Sequence, residues 1–93
     1  MNDNDQRPVT IIMGRVRRRK AGKSEGVHIM LVAPDDDSAV RTALDALTRE
    51  GFVEAELDQI GDLEGVPDEE PHLSAYQGAV EGEVSIVTFD EVD

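Results

Sequence analysis

The sequence has no cysteine and no tryptophan, and its aromatic side chains are two Phe and one Tyr. Without cysteine, disulfides, zinc–thiolate sites, iron–sulfur clusters and thiol catalysis are excluded. No apolar run approaches the roughly 20 residues of a membrane-spanning helix, so no membrane association is expected. The start, MNDNDQRP, is polar and acidic, unlike the basic and then apolar start of a secretory leader. A cytoplasmic location is the expectation. The patterns Gly-x-Ser-x-Gly, His-Glu-x-x-His and Gly-x-Gly-x-x-Gly are missing as well, and with them the commonest signatures of hydrolases, zinc peptidases and dinucleotide enzymes.

Bases are scarce, and they are placed unevenly. Residues 1–26 hold seven bases and three acids, while residues 27–93 hold two bases and eighteen acids. These are sums of +4 and −16, which make the net charge of −12. A body of that charge repels phosphates and anionic lipid and attracts basic partners. An acidic, lysine-poor surface equally suits a saline cytoplasm, where the charge answers to solvent.

With 93 residues, the chain is one domain, burying about two-thirds of its unfolded surface. Residues 1–7 lack periodicity and read as a disordered tail, leaving residues 8–93 as the domain. Val9 to Val16 has the β-branched density of a strand. Ala21-Gly22-Lys23-Ser24-Glu25-Gly26 is turn chemistry. Val27 to Ala33 is the most apolar stretch and ends at Pro34. The two strands form a hairpin with a basic tip.

Asp35, Asp36, Asp37 and Ser38 open a helix, since their side-chain oxygens accept free backbone N–H groups. Val40, Ala43, Leu44 and Leu47 follow at the spacing of one buried stripe, and Gly51 closes the helix. Phe52 to Leu57 alternates, as a half-exposed strand does, and can run on to Ile60. A loop through Pro67 leads to a second helix starting at Asp68-Glu69-Glu70-Pro71. Its apolar face is Leu73, Tyr76, Gln77 and Val80, and Gly82 ends it. Glu83 to Phe89 is the last strand. The expected fold is α+β, a two-layer sandwich of order ββαβαβ: a four-stranded mixed sheet with both helices on one face.

Three motifs carry a chemical hint. Gly22-Lys23-Ser24 has the ending of a phosphate-binding loop, but Arg17 stands where that loop needs its first glycine, and a strand follows. Asp35-Asp36-Asp37 suggests calcium, but Val40 takes the place of the glycine such a loop turns on. His28 and His72 are the only histidines. His28 lies in an apolar strand and reads as structural. His72 neighbours Tyr76 on the second helix, near Glu69 and Glu70, a cluster with the groups for acid–base work. One histidine with carboxylates is a poor metal site, so no metal and no cofactor are expected.

The densest feature is Arg15, Arg17, Arg18, Arg19 and Lys20, five bases within six residues. On a strand they project alternately to the two faces, an arm suited to phosphates. No aromatic is interleaved for base stacking, and the acidic body opposes binding. The leading expectation is therefore a non-enzymatic, acidic module that binds or regulates a protein partner, a basic one by charge. The alternatives are a nucleic-acid-associated protein using the hairpin Arg15–Lys20, and an enzyme built on His72 and Tyr76. Both faces of Val27–Ala33 are apolar, so helices on one side would leave Ile11, Met13, Met30 and Val32 open. A homodimer burying that face follows, its acidic chains least apart at high ionic strength. One helix on each face would instead leave a monomer.

Overall fold

A computed structural model describes residues 8–90. The tail expected over residues 1–7 lies outside the described residues. Strands β1 (Thr10–Arg17) and β2 (Ser24–Leu31) form the hairpin, followed by helix α1 (Asp36–Arg49) and strand β3 (Glu54–Asp62). Helix α2 (His72–Val80) and strand β4 (Ser85–Asp90) complete the ββαβαβ order. The α+β class, the element order and the single four-stranded sheet are as the sequence implies. Two features of the expected fold are corrected.

First, the sheet is antiparallel throughout, not mixed. Its order is β3-β1-β2-β4, with β1 pairing β2 and β3, and β2 pairing β4, all antiparallel. The hairpin fills the centre. The segment through α1 therefore carries the chain past β1 to the far edge, and the segment through α2 carries it back across the whole sheet. Strands β2 and β3 do run parallel, as a helical crossover allows, but β1 lies between them.

Second, the helices lie on opposite faces, which makes three layers instead of two. Ile29 and Leu31 of β2 pack with Ala39, Ala43 and Leu47 of α1, together with Ile12, Val16, Val27 and Phe52. Met30 points the other way and packs with Val9 and with Ala75 and Ala79 of α2, flanked by Ile11, Tyr76 and Val87. A central strand that is apolar on both sides needs cover on both sides, and each helix supplies one. Most of the face expected to be open is covered: Met30 is 0% exposed and Ile11 and Met13 are half-buried, while Val32, beyond the end of β2, is exposed. Of the four residues expected to form a dimer face, Ile11, Met13, Met30 and Val32, only Val32 stays exposed.

Both helices meet the sheet through alanines. In α1 the buried line is Ala39, Ala43 and Leu47, while Leu44 is 41% exposed. In α2 it is Ala75 and Ala79, while Gln77 and Val80 are exposed. The stripes expected from Leu44 and from Leu73, Gln77 and Val80 are rotated from the observed ones. Small side chains take most of the contact, Leu47 is the one large residue on the buried lines, and Leu44 and Val80 fall to the flanks.

The ends of α1 follow local chemistry. Asp35 caps it, its side chain accepting from the Ser38 N–H at 2.8 Å. Gly51 and Gly82, at φ of +97° and +98°, end α1 and α2 in the left-handed region where glycine is unstrained. In each case the following residue's N–H reaches back to the helix: Phe52 to the Leu47 carbonyl and Glu83 to that of Gly78. Helix α2 begins at His72, later than its acids suggest, with Pro71 at the cap position. The Glu70 carboxylate accepts from the Ser74 N–H.

Candidate functional site

The basic strip is the densest chemical signal in the sequence, and the sheet order decides its fate. Strand β3 lies beside β1, with Arg15 opposite Glu56 and Arg17 opposite Glu54. Arg17 Nη1 sits 3.1 Å from Glu54 Oε1, and Arg15 Nη2 sits 3.8 Å from Glu56 Oε1. These pairs and Val16, Ser24, Val53 and Ala55 line a shallow cavity of about 540 Å³. Its walls carry both signs of charge.

Arg18 turns to the other face. Its guanidinium carbon lies 4.3 Å from the centre of the Phe52 ring, and its Nε lies 3.5 Å from Glu25 Oε2. Stacking a guanidinium on an aromatic that the core holds in place favours one orientation of the arginine. Arg19 and Lys20 belong to the exposed tip, where the Gly22 N–H closes a turn on the Arg19 carbonyl at 3.0 Å. Three of the five bases thus face acids of the same sheet. The strip was visible in the sequence, but its neutralisation was not.

The second site was missed. His28 and His72 are 44 residues apart in sequence, yet His28 Nδ1 lies 2.8 Å from His72 Nε2. At that distance one ring donates the N–H and the other accepts. His28 stands on the α2 face of β2, between Met13 of β1 and Val87 of β4. His72 is the first residue of α2. The Phe89 ring meets His28 edge-on at 4.9 Å between centroids, and the His72 ring does so at 5.1 Å. Burial, and then the nearby His72, holds the His28 pKa below the ordinary histidine value. The pair accepts one added proton with its hydrogen bond intact; a second proton leaves two cations facing each other. The period-2 position of His28 on the Met30 side of its strand was the only sequence signal for this contact.

His72 and Tyr76 both lie on α2, four residues apart. Tyr76 packs in the Met30 cluster and makes no hydrogen bond to either histidine among the described residues. Glu70, which the sequence places near His72, spends its carboxylate on the Ser74 N–H. Among the described residues, no group of three or more histidine, aspartate or glutamate side chains is placed to hold a metal ion. Among them too, no helix is long and apolar enough to cross a membrane.

No protein-family model, no curated protein and no solved structure matches the chain.

Proposed function

We propose that the protein is a non-enzymatic interaction module that binds a basic partner protein, and that it works in the cytoplasm. The observation that carries this reading is the internal neutralisation of the hairpin. Arg15, Arg17 and Arg18 lie against Glu56, Glu54 and Glu25. The part of the surface suited to phosphates is thereby reduced, with Arg19 and Lys20 left at the exposed tip. Glu54 and Glu56 are taken up by two of those pairs, and the other acids of residues 27–93, whose sum with Glu54 and Glu56 is −16, keep a large excess. A field of that sign draws cationic partners in and keeps polyanions out. The pairing leaves the net charge at −12.

The experiment compares two classes of ligand on the intact protein. A lysine- and arginine-rich peptide is expected to bind at low salt and weaken as counterions screen the surface. Labelled single- and double-stranded oligonucleotides are expected not to shift. Tight, salt-sensitive oligonucleotide binding that vanishes in an Arg17→Glu, Arg19→Glu variant would establish the hairpin as a nucleic-acid arm and overturn the proposal. Capture from native extract at low and moderate salt, with mass-spectrometric identification, then names the partner.

A further inference from the structure

The two edges of the sheet are built differently. Strand β3 carries acids at Glu54, Glu56, Asp58 and Asp62, and its register against β1 shifts at Met13/Gly14. Charges and bulges of this kind discourage another chain from pairing there. Strand β4 has neither device. Ser85-Ile86-Val87-Thr88-Phe89 contains no charge, no glycine and no proline, and it pairs with β2 in an unbroken register. Among the described residues, no strand lies beyond it. Both helices cover faces of the sheet, which leaves the outer side of β4 as a row of main-chain donors and acceptors.

The charge around that row is specific. Glu81 and Glu83 precede the strand, Asp90 ends it, and all three are exposed. An uncharged, β-branched and aromatic strand is therefore bracketed by acids at both ends. We propose that the outer edge of β4 takes up an extended segment of the basic partner as a fifth strand. That segment has about five β-branched or aromatic residues between lysines or arginines. Main-chain hydrogen bonds to β4 hold its centre, and its cations meet the two acidic ends. This site rests on the interaction-module reading and gives that module a place and a partner chemistry.

A second copy of the chain fits the edge badly. Antiparallel pairing of two β4 strands sets the acids before one strand against the acid that ends the other. Parallel pairing sets Glu83 beside Glu83 and Asp90 beside Asp90. Like charges directly opposite each other are destabilising, and each copy already carries −12.

The test uses the full chain and a synthetic peptide of alternating valine and threonine with a lysine–arginine pair at each end. Amide chemical-shift changes on titration are expected along Ser85–Asp90 and its neighbour β2. The same peptide with every central amide N-methylated keeps its charges and side chains but loses its donors. It is expected to bind roughly tenfold more weakly or worse. Thr88→Lys places a cation in the middle of the edge and is expected to weaken the normal peptide similarly, with spectra elsewhere unchanged. If that variant does not fold, the N-methylated peptide still decides. Equal binding of the two peptides, or shifts confined to Glu54–Asp62, overturns the edge site while the acidic module stands. Absence of binding by any basic peptide overturns both. Sedimentation showing a dimer that Thr88→Lys dissolves also overturns the proposal, because the edge is then occupied by a second copy.

Discussion

Replacing Leu47 with alanine tests how α1 meets the sheet. Leu47 is 2% exposed and sits among Ile12, Val16, Val27, Ile29, Leu31 and Phe52. The change removes three carbons, at about 0.8 kcal/mol per buried CH2, for a transfer loss of about 2.4 kcal/mol. Relaxation around the site is limited. The neighbours on its stripe, Ala39 and Ala43, are too short to fill the space, and the helix is fixed by Asp35 at one end and Gly51 at the other. A residual void of about 40 Å³ adds about 1 kcal/mol at about 24 cal/mol per Å³. The expected cost is then about 3–4 kcal/mol, a large share of the roughly 5–15 kcal/mol that holds a domain folded. At about 4–8 °C per kcal/mol for a domain of this size, Tm falls by about 12 °C or more. Leu44→Ala, on the exposed flank, is expected to stay within about 0.5 kcal/mol of wild type. Urea unfolding and thermal melts of both variants, followed by circular dichroism, give the comparison. If Leu44→Ala costs as much as Leu47→Ala, the line through Val40 and Leu44 faces the sheet, and the packing described for α1 is refuted.

Acidification should weaken the fold through His28. Its folded pKa lies below the ordinary value, so the unfolded chain takes up this proton first. The contribution is complete above about pH 6.5, is lost as pH falls from there through the folded value, and then levels off. Urea midpoints across that range should drop less for His28→Gln than for wild type, and equal drops would assign the loss to other groups. Ala79→Leu, at a fully buried contact of α2, should cost about 1–3 kcal/mol by overpacking, whereas Val80→Leu on the exposed side should be nearly neutral in the same melts. Reversing Arg17 and Glu54 singly and together should yield a coupling of only about 0.2–1 kcal/mol, since both side chains are half exposed. A coupling that survives high salt would contradict this exposed geometry.

The features legible in the sequence are those that local chemistry determines. The cap at Asp35 and Ser38, the glycine ends at Gly51 and Gly82, the turn before β2 and the β-branched runs all depend on neighbours within a few residues. The helix faces were partly misread: Ala43 and Leu47 are buried as expected, but Leu44 was given a core place that Ala39 takes, and the core side of α2 belongs to Ala75 and Ala79. An alanine carries little hydrophobic signal, yet it permits the closest packing. The apolar character of both sides of β2 was visible, but choosing between a second helix and a second copy depended on where α2 returns. Strand order leaves no local trace either. Whether β1 or β4 borders β3 decides whether Arg15 and Arg17 are paired or open, and nothing near Arg15 encodes that Glu56 will lie opposite. The His28–His72 contact depends on the same long-range choice.

The central place of the hairpin also sets an order of opening. Every strand pairing involves β1 or β2, and these two are adjacent along the chain. Helix α2 and strand β4 pack on the β2 side, so they can peel away together while the β3–β1–β2 core and α1 remain paired. Amide hydrogen exchange is expected to run in that order. The amides that bond β1 and β2 to each other beside Ile12 and Ile29, under α1, exchange last and only on global unfolding. Those of α2 and β4, with the β2 amides that point to β4, exchange earlier and as one group, because β2 alone holds β4 in the sheet and α2 packs on both strands.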